Sequence, residues 1–223
     1  ATKNKYAQFQ RKISIEQVRS SRKAANKPLG LFDFAPMSDG STALVLTSET
    51  VAKKLSPNPV YVLGCGSATD YLNYSTREDL SRFLAGELAM KSASQKAKVS
   101  ASELQLLELN DQSTMMEMVS LEDIGVAAPG TAWKSIYQSY KDNHLHYEIN
   151  GKPVYVNTNG GLKADGNPLG ATGGAQIFEL FRQLRGEAAD RQIPIQGLKH
   201  AAAVEYEGFG TKAYVTILGE KTQ

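Results

Sequence analysis

The chain has 223 residues, of which 41% are hydrophobic and 22% are charged, so it is long enough to bury a proper core in one large domain or two small ones. The formal net charge is only +2, with 25 Lys and Arg scattered among 23 Asp and Glu. The composition therefore excludes a fibrous or disordered chain and gives no basic stripe of the kind that binds nucleic acid.

Neither a membrane segment nor a secretion signal is predicted. No stretch is long and apolar enough to span a bilayer, and the first residues lack a signal-peptide pattern. The single cysteine, Cys65, excludes an internal disulfide bond and a cysteine-rich zinc site. These features fit a reducing compartment, so we expect a cytoplasmic protein.

The first quarter of the chain predicts two short helices and one strand. Ser14 and Gln17 form the pattern of a capping box at the start of a helix that stops before Pro28. After a turn at 38–40, the β-prone run from Thr42 to Thr47 predicts a short strand. Ser48 then predicts the start of a helix that continues to Leu55.

The middle of the chain alternates between apolar runs and helical periodicity. Val60 to Leu63 is a continuous apolar run, typical of a strand covered on both faces of a sheet. The longest helical pattern extends from Arg77 to Lys98. A strand over Leu104 to Leu109 follows, then a helix carrying Met115 to Leu121, and one more helix within 129–143.

The last part of the chain predicts a hairpin, a helix and a strand pair. An Asn150-Gly151 turn joins β runs at 146–149 and 154–156. A helix is expected to start near Pro168, and two further β runs cover Ala201–Tyr206 and 214–218. Strands alternating with helices predict an α/β domain with a mixed sheet over 36–223, after a lead-in segment and helix over 1–35.

The stretch from Asn157 to Gln176 holds six glycines, one proline and three asparagines just before an amphipathic helix. Glycines allow backbone angles that a side chain forbids, and they allow a ligand or another backbone to lie close. The N–H groups and dipole at the start of the helix would suit a polar or anionic ligand group. A tight contact between helix and sheet explains the glycines equally well, and spacing alone does not separate the two interpretations.

Several segments in this stretch resemble the C-terminal half of a thiolase, most closely the sterol-carrier-protein type and its archaeal and bacterial relatives. They are Asn157–Lys163, Gly166–Gly173 and Arg182–Gly186. Further matching segments follow the same order along the chain: Tyr6–Phe9, Ser38–Leu46, Gly64–Asp70 and Glu108–Asp111. The resemblance spans nearly the whole chain, and it implies a thiolase-like half with a mixed five-stranded sheet between helices.

The resemblance also implies an activity and partners. Thiolases are acyltransferases of lipid metabolism, such as acetyl-CoA acetyltransferases, that make or break a carbon–carbon bond beside a coenzyme A thioester. Coenzyme A is then part of the substrate and no cofactor is covalently bound. The nucleophilic cysteine comes from the first half of the fold, so the expected partners are acyl-CoA and either that half or a second subunit, in a homo- or hetero-oligomer.

At three positions where the family handles protons, this chain carries other residues. Asn167 stands in place of the histidine of the family's Gly-His-Pro motif, and Gly197 aligns with the second catalytic cysteine. Asn110 begins the motif Asn-Asp-Gln-Ser and, as in one version of the family, would orient a water for an oxyanion hole. Asparagine donates and accepts hydrogen bonds but carries no proton at neutral pH.

The resemblance yields a set of candidate site residues. The predicted catalytic residues are Asn110, Asn167, His200 and Tyr206, and the predicted substrate-binding residues are Asn159, Gly160, Gly161, Gly166 and Gly208. Tyr206 is included because thiolase-like aldolases lack the cysteine, transfer protons through tyrosine and work with a separate acyl-CoA-binding partner. For both His200 and Tyr206 a structural role is the competing interpretation. Cys65 is interpreted as structural, and His144 and His146 as surface residues rather than metal ligands.

Three functions stay open on this basis. The first is a thiolase-like acyltransferase acting on acyl-CoA, with this chain as its second half. The others are a non-catalytic subunit that binds acyl-CoA or a partner protein, which Asn167 and Gly197 favour, and a thiolase-like aldolase.

Overall fold

The computed structural model describes residues 4–21 and 27–220 and consists of one mixed sheet with helices on both faces. The strands are β1 Tyr61–Thr69, β2 Leu106–Leu109, β3 Tyr147–Ile149, β4 Lys152–Val156, β5 His200–Glu207 and β6 Lys212–Gly219. Their order across the sheet is β1-β6-β5-β2-β4-β3. The β5–β2 and β2–β4 pairs are parallel and the others antiparallel, which confirms the predicted mixed α/β class with six strands rather than five.

Seven α-helices surround the sheet in the described residues. They are α1 Ile15–Ser21, α2 Glu49–Leu55, α3 Leu84–Ala97, α4 Thr114–Asp123, α5 Ala132–Asp142, α6 Gly161–Asp165 and α7 Thr172–Leu184. Helix α3 lies against β1 and β6, and α7 lies against β5 and β2 on the other face. The close approach of α3 depends on glycine, because a side chain at Gly64 or Gly66 would collide with the backbone of that helix.

The alternation of side chains along β5 divides the core into two layers. Ala202, Val204 and Tyr206 pack on the face that carries α3 and α4. Ala201 and Ala203 pack on the opposite face with Leu180 of α7. The next residue on the α7 face of β5 is Glu205.

Two local predictions are confirmed in detail. The Gln17 N–H donates to Ser14 Oγ at 3.2 Å and the Ser14 N–H donates to Gln17 Oε1 at 2.9 Å, the reciprocal bonds of a capping box. Helix α1 is described as far as Ser21, and 22–26, where its expected end before Pro28 falls, lie outside the described residues. Asn150 and Gly151 have φ angles of 53° and 70°, as the hairpin between β3 and β4 requires.

One strand prediction is wrong. The run Thr42–Thr47 forms no strand, and Val45 and Leu46 are 93% and 80% exposed. Its sequence suits a strand, but no other described strand lies beside it. The apolar run at Val60–Leu63 does form the start of a strand, β1, but Val62 is 49% exposed, so this strand is not covered on both faces as predicted.

Two predicted helices begin later than their periodicity indicates. Helix α3 starts at Leu84 rather than near Arg77, because Arg77 instead holds the preceding loop by donating to the backbone oxygens of Tyr71 and Phe209. Helix α7 starts at Thr172 rather than near Pro168, after a short 3-10 turn at Leu169–Ala171. The short helix α6, inside the glycine-rich stretch, was not predicted.

Candidate functional site

A cavity of about 460 Å³ lies between the first turns of α7 and the face formed by β5 and β6. Its walls include two of the predicted catalytic residues as buried asparagines, together with a carboxylate, an amide and two glycines: Asn110, Asn167, Gly173, Gln176, Glu205 and Gly208. The cavity thus gathers polar side chains at one end of the sheet, where β2 ends and the glycine-rich stretch begins.

Asn110 follows directly after β2 and is held on three sides. Its N–H donates to the oxygen of Val204 at 2.9 Å, which extends the ladder between β2 and β5. Its Oδ1 accepts the Gln112 N–H at 3.0 Å, and its Nδ2 donates to Glu205 Oε1 at 2.7 Å. With the backbone and the side-chain oxygen fixed, the Asn110 amide presents its donor to the carboxylate in one orientation.

Asn167 is fixed at the opposite wall of the cavity, next to α7. Its N–H donates to the oxygen of Pro36 at 2.8 Å. Its Oδ1 accepts the Leu169 N–H at 3.2 Å and the Thr172 hydroxyl at 3.4 Å. The side-chain oxygen is thereby occupied, so the NH₂ end of the Asn167 amide is the one that can donate to a ligand.

Glu205 is the ionisable residue of this site that the sequence prediction missed. Its Oε2 atom is buried and has no hydrogen-bond partner among the described residues. Burial raises the pKa of Glu205 from 4.5 to about 7, although the hydrogen bond that Asn110 donates to Oε1 opposes the rise. The signal in the sequence was a glutamate between Val204 and Tyr206, inside a run that is otherwise apolar.

Tyr206 packs away from Glu205, on the opposite face of β5. Its ring lies 5.2 Å from that of Phe83, centroid to centroid, and a side chain at Gly86 would collide with its hydroxyl. Burial is the main cause that raises the pKa of Tyr206 above its usual value. The ring therefore belongs to the core beneath α3, as in the structural interpretation, although the backbone of Tyr206 borders the cavity.

The structure does not bring His200 to the cavity. His200 is the first residue of β5, paired with Gly219, and Glu205 lies five residues further along the strand. At about 3.3 Å per residue the two are separated by roughly 17 Å. The family resemblance placed His200 among the catalytic residues, but strand β5 separates His200 from the cavity.

Most of the predicted substrate-binding residues surround a second, smaller cavity of about 160 Å³. Asn159 Oδ1 accepts the Gly161 N–H at 2.8 Å, and Asp111 Oδ1 accepts the Leu162 N–H at 2.8 Å. Gly161 and Gly166 have φ angles of 64° and 86° and lie close to Asp111 and Ser38. These contacts give Gly161 and Gly166 a structural role.

Gly160 and Gly208 complete the predicted set. Gly160 is the residue just before α6 and has a φ of 105°. It borders another surface pocket rather than the cavity beside α7. Gly208, in the β5–β6 turn, is the one predicted glycine that borders that cavity. Substrate contact by Asn159, Gly160, Gly161, Gly166 and Gly208 stays a prediction.

No cysteine lines the cavity. Cys65 is exposed on β1, with its Sγ 3.9 Å from Thr216 Oγ1 on the adjoining strand. Within 4–21 and 27–220 no three His, Cys, Asp or Glu side chains are grouped to hold a metal ion. His144 and His146 stack on each other at 4.9 Å, and His146 contacts Glu148 at 2.9 Å. No helix in the described part of the chain is long and apolar enough to cross a membrane.

Comparison with known proteins assigns the family. Residues 66–220 match the family model for thiolase C-terminal domain-like proteins. The chain therefore belongs to the thiolase C-terminal domain-like family, as its motifs indicated, and β1 to β6 all fall within or begin just before the matched range.

Relatives and a solved structure agree with this assignment. The chain is 36% identical over 193 residues to an acetyl-CoA acetyltransferase of Methanothermobacter thermautotrophicus, covering 86% of this chain and 48% of that protein. It is 33% identical over 202 residues to sterol carrier protein 2 of Bos taurus, covering 86% of this chain and 35% of that protein. The chain thus spans about half the archaeal relative and about a third of the bovine one.

A solved structure described as an Ltp2-ChsH2(DUF35) aldolase shares the fold with a TM-score of 0.78. The match covers 98% of this chain and 55% of that one, at 22% sequence identity.

Proposed function

We propose that the protein to which this chain belongs binds an acyl-CoA thioester at the cavity beside α7 and makes or breaks a carbon–carbon bond next to it. The observation that carries this proposal is the convergence of Asn110 and Asn167, both buried, on one cavity. The names of the acetyltransferase relatives support the choice of an acyl-CoA substrate.

The chemistry requires a fixed donor for the thioester oxygen. When the carbon beside a thioester loses a proton, negative charge develops on the carbonyl oxygen, and preorganised donors lower that barrier most effectively. The NH₂ end of Asn167 is such a donor. The first turn of α7, where Gly173 borders the cavity, adds the positive end of the helix dipole.

The acyltransferase reaction needs a nucleophile from outside this cavity. A thiolase takes up the acyl group on a cysteine, and Cys65 is not among the residues that line the cavity. A first thiolase-like half, in the same protein or in a second subunit, would supply it. The absence of cysteine and histidine from the described lining also favours a second candidate, an aldol-type cleavage that needs no covalent acyl-enzyme.

Two exposed apolar surfaces are suited to such a partner. Phe178 and Phe181 of α7 are partly exposed, and the exposed segment 42–47 has a strand-like sequence without a strand beside it. Unpaired backbone in an apolar extended segment is a template for pairing with a sheet edge. We therefore propose that the other thiolase-like half covers both surfaces, segment 42–47 joining its sheet.

Isothermal titration calorimetry on the full-length protein tests the substrate. Asn167→Asp removes the NH₂ donor and adds a negative charge, so we expect acetyl-CoA to bind about 10- to 100-fold more weakly, through loss of one hydrogen bond and repulsion between the new carboxylate and the carbonyl oxygen. Free coenzyme A, which lacks the carbonyl, should lose much less. Asn58→Asp at an exposed position is the matched control. Equal loss for both ligands would place the thioester carbonyl elsewhere.

A further inference from the structure

We propose that Glu205 is the acid–base group of this cavity: it removes a proton from the carbon beside the thioester carbonyl and returns one to it. This inference rests on the proposed acyl-CoA substrate. It assigns a catalytic role to a residue that is not part of any segment in which the chain resembles the family.

The geometry of the carboxylate is fixed from one side and open on the other. Asn110 Nδ2 holds Oε1 at 2.7 Å, and Asn110 is itself bonded to Val204 and Gln112. Oε2 is buried without a partner in the described part of the protein. Because no hydrogen bond occupies its lone pairs, Oε2 of the ionised carboxyl is free to accept a proton from a carbon held against it.

The surroundings suit a base that works near neutral pH. The carboxyl lies under the first turn of α7, where a Cβ on Gly173 would be 3.6 Å from Glu205 Cγ. Burial raises the pKa of Glu205 to about 7, which keeps the carboxyl basic enough to accept a proton and partly ionised at that pH. In proteins generally, a perturbed carboxyl in a cavity is a candidate for proton transfer.

The other titratable groups around the cavity are less suited to the role. Glu207 is exposed and pairs with Lys212, Nζ to Oε2, at 3.1 Å. Tyr214 lies beside Glu205 on β6, and Tyr206 faces the opposite layer. His200 lies at the far end of β5. None of these groups combines burial with an open acceptor atom that faces the cavity.

The proton-transfer step balances without another reagent. Oε2 of the ionised carboxyl accepts the proton from the carbon, and the electron pair of the broken C–H bond moves into the enolate, whose negative oxygen is stabilised by the donors around Asn167. The neutral carboxylic acid then returns a proton to the same carbon. In D₂O the acid exchanges its proton with the solvent, so deuterium appears in the acyl group.

Deuterium exchange into acetyl-CoA, followed by NMR on the full-length protein, tests the inference. We expect the wild-type protein to catalyse exchange, with a rate that rises with pH to a plateau above about 7. Glu205→Gln keeps the shape but cannot accept a proton, so the rate should fall about 100-fold or more. Glu78→Gln at an exposed position outside the cavity is the control and should exchange as the wild type does.

Calorimetric binding of acetyl-CoA separates failure of this inference from failure of the proposed function. If the wild type does not bind acetyl-CoA, both fall. If it binds without exchange, or if Glu205→Gln binds and exchanges at the wild-type rate, the role of Glu205 is overturned while the substrate assignment stands. A carbon-13 NMR titration adds a readout without substrate: one glutamate carboxyl should titrate near 7 and vanish in Glu205→Gln, and its absence from the wild type would overturn the inference.

Discussion

The site combines side chains that hydrogen-bond with one that can carry a proton. Asn110 and Asn167 offer fixed amide donors, and Asn110 spends its donor on Glu205. Asparagine carries no proton at neutral pH, and neither cysteine nor histidine lines the cavity among the described residues, so proton transfer has to come from another residue if the site is active. The structure identifies Glu205 where the sequence did not, because the direction of a side chain on a strand depends on where the strand begins and on which face of the sheet is covered.

A role for Tyr206 in proton transfer, as in a thiolase-like aldolase, would give a different result from a role for Glu205. Tyr206→Phe removes a hydroxyl that is buried under α3, on the far side of β5 from the carboxylate. We expect deuterium exchange within about twofold of wild type and a change in unfolding free energy of at most about 1 kcal/mol, since the hydroxyl lacks a strong partner. Loss of exchange in a folded Tyr206→Phe protein would instead support an aldolase-like role for the tyrosine.

At the scale of elements, the sequence predicted the mixed sheet, the Asn-Gly hairpin and both helices that border the site, and the family motifs supplied the class of fold. It assigned His200 to the site from the family resemblance, whereas the β run predicted to follow it, strand β5, carries the chain from His200 to the cavity at its other end. It also assigned a strand to 42–47 from local preference alone, whereas a strand exists only with a neighbour to pair with.

The exposed segment 42–47 gives a prediction about assembly. If segment 42–47 joins the sheet of another thiolase-like half, as proposed, Val45→Asp should destabilise that contact, because a charge would be buried where an apolar side chain packs. Leu72→Asp, on a comparably exposed residue in the loop before α3, should have no such effect. Thermal unfolding of both variants measures the difference, and equal melting temperatures would mean that segment 42–47 stays exposed in the whole protein.

The glycine-rich stretch gives a prediction about the fold itself. Gly161→Ala places a Cβ against the carboxylate of Asp111 at a φ of 64°, so it should destabilise the protein by about 2 to 4 kcal/mol. Gly186→Ala has a similar φ of 70° but open space around the new Cβ, so it measures the backbone strain alone, about 1 kcal/mol. Equal losses in urea unfolding would show that the contact with Asp111 is unimportant.

At the scale of the whole molecule, buried carboxyls should make the protein less stable as the pH rises. Burial raises the pKa values of Asp111 and Glu205 to about 7 and those of Asp123 and Asp165 to about 6. The folded state then holds protons that the unfolded state has already released. The stabilisation is complete below the unfolded pKa values near 4 and is lost as the pH passes through the folded ones.

Urea unfolding between pH 4 and pH 8 checks this pH dependence. We expect the unfolding free energy to fall between pH 4 and pH 7, and we expect Glu205→Gln to be more stable than wild type at pH 8 by about 1 to 3 kcal/mol. At pH 4, where Glu205 is protonated in both states, the two proteins should be nearly equal. A wild-type free energy that does not fall between pH 4 and pH 7 would contradict the raised pKa values of these carboxyls.

The most direct test of the central claim is a crystal structure of the full-length protein with acetyl-CoA bound. We expect the thioester in the cavity beside α7, with its carbonyl oxygen within about 3 Å of Asn167 Nδ2 and its methyl carbon facing Glu205 Oε2. A structure in which coenzyme A binds elsewhere and this cavity is closed off by the other half of the protein would contradict it.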